Sequence, residues 1–233
     1  MKHVPIVGKF LMIMVAFGLL TLLLSLYESR QLYKMDAAYS GLLDGESTAA
    51  LYLSRSNRSM QAVRASIGDL LMSRSEESNA RAISDLQDAR QSFTKFMDVA
   101  IRAMPTHSEI AELRTSGLQI IDTICAATIA AGKSAVKETE VAASQQIFLQ
   151  QCQPAFATLS PRFTAVTTEM VEAASKESAA LTAEVDGTAK QTLVSVLIVL
   201  GLVMSAGFLA IRSWLVLPLR TLAATMKTLA NGD

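Results

Sequence analysis

Few side chains in this sequence have the types and spacing that chemistry needs. The histidines are His3, alone near the start, and His107, which follows Pro105 in a turn-like stretch and reads as a polar loop residue. There is no phosphate-cradling glycine loop, no metal-spaced Cys/His set and no nucleophile elbow. The carboxylates are spread over helix faces, as solvated ones are. The expectation is no catalysis, no metal and no cofactor. Two features remain. Arg64, with Asn57, keeps the spacing of Leu53, Met60 and Ile67. A charge on an apolar seam needs a partner, because burying it alone is costly, and the guanidinium fork suits a carboxylate. That carboxylate is a ligand's or a protein acid's; alternatively the arginine fixes dimer register. The other feature is Cys125 and Cys152, whose midpoint falls near Lys137 and Glu138. A turn there would bring them level. A disulfide closing about 28 residues would contribute about 3–4 kcal/mol in the chain-entropy model. The alternative is two unpaired, small apolar residues.

The elements that must position these residues follow from composition. The chain has 233 residues, is 51% apolar, and carries 21 Lys+Arg against 21 Asp+Glu. A nucleic-acid binder would show a basic excess, so no nucleic-acid partner is expected. Eight Phe, four Tyr, one Trp and five Pro argue against a strand-rich sandwich. Two long apolar runs are free of charge, Phe10 to Leu26 and Thr192 to Ile211. Each, at about 17–20 residues, can cross a hydrocarbon core of roughly 30 Å as a helix. The first extends back to Val4 if Lys9 snorkels. No small-x-small cleavage site follows it, so it reads as an uncleaved anchor. The flanks hold Lys2, Lys9, Arg212, Arg220 and Lys227 against Asp233, whereas the loop between the runs has more acids than bases. Basic flanks stay in the cytoplasm and long loops cross largely regardless of charge. The expected order is a cytoplasmic N-terminus at 1–9, a span at 10–26, an external domain at 27–191, a span at 192–211 and a cytoplasmic tail at 212–233. Trp214 then sits where an interfacial aromatic belongs.

Helical spacing dominates the loop. Leu43, Ala50, Leu53, Met60, Ile67 and Leu71 mark a first helix, and Ser75 an N-cap. Ile83, Leu86, Phe93, Met97, Ala100 and Met104 mark a second, which Pro105 ends. Thr106 and Glu109 have capping-box spacing and open a third, through Ile110, Leu113, Gly117, Ile120, Ile124, Thr128 and Ala131. The polar stretch 132–140 is the next turn. Phe156, Leu159, Phe163, Val166, Met170 and Ala173 mark a fourth helix, with Pro154 and Pro161 expected to kink or break its first turns. The outer helices run into the spans, with roughly 70 Å outside them, and the middle two reach roughly 45 Å. The expected fold is all-α: a membrane-anchored, up-down-up-down four-helix bundle with two transmembrane helices. Rows of small residues, Ala37, Gly41, Gly45, Ala49 and Ser175, Ala179, Ala183, Gly187, would let the outer helices pack closely.

After the second span, Leu219, Leu222, Met226 and Leu229 form a heptad seam that opens at Pro218 and closes on Asn231-Gly232-Asp233. PLRTLAATMKTLANGD resembles the first helix of a HAMP signalling module. Such a module has a second helix, so 212–233 reads as its truncated start. With the two spans and the helical loop, the whole chain resembles in layout bacterial methyl-accepting chemotaxis receptors with a four-helix-bundle periplasmic sensor. MKHVPIVGKFLMIM, Tyr39-Ser40 and Arg55-Ser56-Asn57-Arg58 are weaker points of likeness.

The resemblance implies an inner-membrane homodimer, able to join larger arrays, that senses a small periplasmic solute and signals through the second span and HAMP. A cytoplasmic kinase or adaptor would be reached only through a part beyond Asp233. In aspartate- and serine-type members, first-helix arginines hold the ligand carboxylate together with a fourth-helix hydroxyl. The matching regions here contain Arg55, Arg58 and Arg64, and Thr158, Ser160 and Thr164. The arginine spacing departs from the amino-acid receptor pattern. Two other readings share the layout: the input half of a sensor histidine kinase or cyclase receptor, and a structural or assembly membrane protein without a small ligand.

Overall fold

The computed structural model describes residues 6–134 and 138–230. The protein is all-α, with no strand among the described residues. In chain order the helices are α1 (Ile6–Leu42), α2 (Thr48–Met72), α3 (Glu76–Ala103), α4 (Ser108–Gln119), α5 (Ala126–Ser134), α6 (Glu138–Ile147), α7 (Gln153–Ile211) and α8 (Leu217–Ala230). Four π-helical turns join consecutive helices: Leu43–Ser47, Ile120–Ile124, Phe148–Cys152 and Arg212–Val216. The chain divides into two compact units, residues 38–180 and residues 1–37 with 181–233. Among the described residues, two helical stretches are long and apolar enough to cross a membrane.

In the 38–180 unit the core draws on α2, α3, α4 and α7. Leu53, Met60, Val63 and Ile67 meet Phe93 and Met97, Ile110 and Leu113, and Phe156, Leu159 and Phe163. Phe93 and Phe163 pack edge to face with ring centroids 6.2 Å apart. Burying side chains of this size contributes about 1.5–3 kcal/mol each. The Ser75 hydroxyl accepts from the Ser78 amide at 3.2 Å, the cap that starts α3.

Several expectations are corrected. Leu43 is exposed and Leu42 buried. The π-helical turn at Leu43–Ser47, non-helical at Gly45, rotates the apolar stripe by inserting one residue. The Thr106–Glu109 capping box does not form: His107 takes the N-cap position with no side-chain cap bond. The third helix is interrupted at Ile120–Ile124, which buries Ile120 and Ile121 side by side. Pro161 sits inside an unbroken α7. Both Pro161 and Ala157, whose carbonyl loses its donor, are exposed, so the break in the bonding ladder falls on the solvent face of the helix. The small-residue rows do not produce close packing at two of their glycines, since a Cβ at Gly41 or Gly187 would meet nothing within 4 Å. Residues 135–137, part of the expected turn at 132–140, lie outside the described residues, as do residues 1–5 and 231–233.

In the other unit, the α1 and α7 stretches present large apolar side chains outward, including Leu19, Leu22, Leu197, Leu202 and Phe208. Trp214 packs edge-on against Phe10, with centroids 5.9 Å apart. On α8, Leu219, Leu222 and Met226 of the heptad seam are exposed.

Candidate functional site

Polar side chains converge in a groove of about 460 Å³ between α2 and α3. Its floor is made of small residues at helical spacing, Ser59, Ala62 and Ser66 on α2 and Ala89 and Ser92 on α3. Short side chains at these positions leave a trough where two helices would otherwise interdigitate. One rim carries Arg55 and Arg58; the other carries Asp85 and Asp88, three residues apart and so on one face.

An aromatic pair fixes one arginine. Tyr52 and Phe96 lie 5.8 Å apart, and the Arg55 guanidinium carbon sits 5.1 Å from the Tyr52 ring centre and 6.0 Å from that of Phe96. Cation–π contacts at exposed sites contribute about 0.5–1 kcal/mol. That is enough to bias the rotamer while leaving the guanidinium edge free to donate. The buried Ser56 hydroxyl donates to the Tyr52 carbonyl at 2.7 Å, within the same helix.

Several charges elsewhere on this unit are paired. Arg90 makes two bonds to Asp122, at 2.8 and 2.7 Å. Arg114 donates to Asp98 at 2.8 Å, and Arg162 reaches Glu112 at 3.5 Å. The hydrogen bond to Asp122 raises the Arg90 pKa, its charge adds to that, and burial opposes it. Among the described residues no ion pair joins Arg55 or Arg58 to Asp85 or Asp88. The groove therefore offers separated cationic and anionic rims, an arrangement that can hold a small solute carrying a carboxylate, a donor group, or both.

The six residues expected to meet a ligand do not share one pocket. Arg55 and Arg58 line the groove; Arg64 is half-buried and does not. Thr158 lines a different groove with Ser116, Gln119 and Arg162. Its hydroxyl donates to the Pro154 carbonyl at 2.9 Å, and the Thr164 hydroxyl donates to the Ser160 carbonyl at 3.3 Å. Both donors are thus turned back onto α7, and Ser160 is half-buried. Asp85, Asp88, Ser92 and Phe96 were not singled out in the sequence. The available signal was an acid pair at i, i+3 facing an arginine pair at i, i+3, visible only once α2 and α3 are set side by side.

Cys125 and Cys152 form a disulfide with Cα atoms 5.0 Å apart, both fully buried. His107 lies 3.5 Å from Glu169 of α7. Among the described residues no group of three or more His, Cys, Asp or Glu is placed to hold a metal. No protein-family model, curated protein or solved structure matches this chain.

Proposed function

We propose that the protein is the sensing half of a homodimeric, two-span receptor of the bacterial inner membrane. Residues 38–180 act as a periplasmic four-helix bundle that binds a small polar solute in the α2–α3 groove. Both termini lie in the cytoplasm. The chain itself is not an enzyme in this reading; its output is relayed through a HAMP-like helix at 217–230.

The observation that carries the reading is α7. One unbroken helix, Gln153–Ile211, holds core residues Phe156, Phe163 and Met170 and also the second charge-free apolar run. A bundle that repacks on binding would displace that helix along or about its axis. For a solute to do this it must bind two states of the bundle unequally.

The test is thermal unfolding of the full chain in lipid nanodiscs against a panel of organic acids, amino acids and amines. A solute at 100 times its dissociation constant adds about 2.7 kcal/mol. The expected result is a shift with one solute class that Arg58→Ala abolishes and Asp85→Asn alters, while both variants melt normally without solute. A folded, inserted chain that shifts with nothing in the panel would overturn direct sensing of these classes.

A further inference from the structure

The unit built from residues 1–37 and 181–233 contains a second cavity, which the α2–α3 groove reading leaves without a role. It lies between residues 24–35 of α1 and 185–196 of α7 and measures about 460 Å³, within the roughly 300–1,000 Å³ range of small-molecule sites. Leu24, Leu32, Met35, Val185 and Val196 give it aliphatic walls. Glu28 also lines it, and the Glu28 Oε1 atom is buried and accepts no hydrogen bond. Thr188, Gln191, Thr192 and Ser195 also line it and none donates to that oxygen, while the Gln31 amide donates to the Tyr27 hydroxyl at 3.2 Å. No Lys, Arg or His among the described residues pairs with Glu28.

A buried carboxylate oxygen without a donor is costly, and the groups it lacks can come from a ligand. The complement of this cavity is a positively charged N–H donor attached to an aliphatic chain. We propose that the cavity binds an alkylammonium amphiphile, its ammonium donating to Glu28 and its chain lying against Leu24 and Val196. The cavity straddles Leu26 and Thr192, the outer ends of the apolar runs, which is headgroup level in the two-span reading on which this site rests. A membrane lipid with a primary ammonium headgroup and a free amphiphilic amine present the same chemistry.

The test uses the full chain in nanodiscs of phosphatidylglycerol alone, with a photoreactive octylammonium probe and peptide mapping by mass spectrometry. Label should concentrate on 24–35 and 185–196 and be competed by octylammonium but not by octanol. Glu28→Gln keeps the shape, loses the charge, and should weaken competition about tenfold or more. Equal competition by octanol, or label spread evenly along 10–26, would overturn the site. So would disulfide-linked dimers of Thr188→Cys, which would put a second copy against the cavity. Repeating the labelling with phosphatidylethanolamine present assigns the source: lost label means the lipid ammonium occupies the site, retained label means a free amine does. Alkaline extraction scores insertion separately. A chain that extracts into the soluble fraction yet is still labelled on these peptides defeats the span reading and leaves the site standing.

Discussion

Two stretches of helix carry comparable apolar side chains and treat them oppositely. On α2, Leu53, Val63 and Ile67 are fully buried. On α7, Leu193, Leu197, Leu202, Met204 and Phe208 are each more than half exposed. The difference lies in what stands between the apolar positions. Along α2, the exposed Arg55, Arg58 and Asp69 occupy the other faces, so one stripe faces a core, with the half-buried Arg64 at its edge. Along 192–211 no charged residue intervenes, and a helix that is apolar all round must be covered from outside its own stripe. In our proposal that cover is lipid. In that proposal the same backbone conformation serves two solvents, and the charge pattern tells which.

Substitutions can break this comparison. The largest effect is expected at Phe163, fully buried against Phe93. Phe163→Ala should cost about 3–5 kcal/mol, read by chemical denaturation of the 38–180 unit within the full chain in nanodiscs. Leu197→Ala should leave that transition unmoved. A comparable loss from Leu197→Ala would mean that the outward face is part of a protein core.

Next comes the disulfide. It links Cys125 and Cys152 across a sequence separation of 27, and replacing both with Ser should cost about 3–4 kcal/mol through the unfolded chain. The same denaturation series checks it, and a loss well below 1 kcal/mol would contradict a formed bridge.

Glycines sharpen the contrast at an intermediate scale. A Cβ at Gly117 would collide with the Phe93 ring and reach within 3.0 Å of Met60 Cε. The ring is fully buried and edge-packed, so it cannot swing clear. Gly117→Ala should cost about 1–3 kcal/mol. At Gly187 a Cβ meets nothing within 4 Å, so Gly187→Ala should be neutral or gain up to about 1 kcal/mol in helix propensity. Melting temperatures of the two variants should therefore move in opposite directions or only one should fall.

The smallest effect is expected at Arg90, whose pair with Asp122 is nearly half exposed on both sides. Arg90→Ala should cost no more than about 1 kcal/mol. The Arg90 pKa is raised, first by its hydrogen bond to Asp122. A raised basic pKa stabilises fully below the unfolded value and is lost only as pH climbs past it. The difference between variant and parent should accordingly stay constant across the neutral range, and a difference that vanishes at mildly alkaline pH would contradict the assignment.

Much of the fold was legible because its signals are local. The apolar runs, the Ser75 cap, the stop at Pro105 and the stripe Phe156, Leu159, Phe163, Val166 and Met170 all lie within single helices. The π-helical turns were not legible. Nothing in Ile120–Ile124 distinguishes it from α-helix by composition, and in Leu43–Ser47 only Gly45 does, yet each shifts the buried stripe by one residue. The site was half legible for a related reason. Arg55 and Arg58 stand out as a pair near an aromatic, whereas Asp85 and Asp88 resemble any solvated carboxylates until α3 lies beside α2. Thr158 and Thr164 were read from their region and residue type, and neither shows that their hydroxyls bond back to their own helix.

The central claim is that the two apolar runs lie in lipid while the 38–180 unit lies in water. Spin labels placed singly at Leu20, Leu197 and Leu51 of the full chain in nanodiscs, with oxygen and a water-soluble nickel complex as relaxants, test it most directly. The account predicts that Leu20 and Leu197 favour oxygen strongly and Leu51 favours nickel. Nickel access at Leu20 and Leu197 equal to that at Leu51 would contradict it.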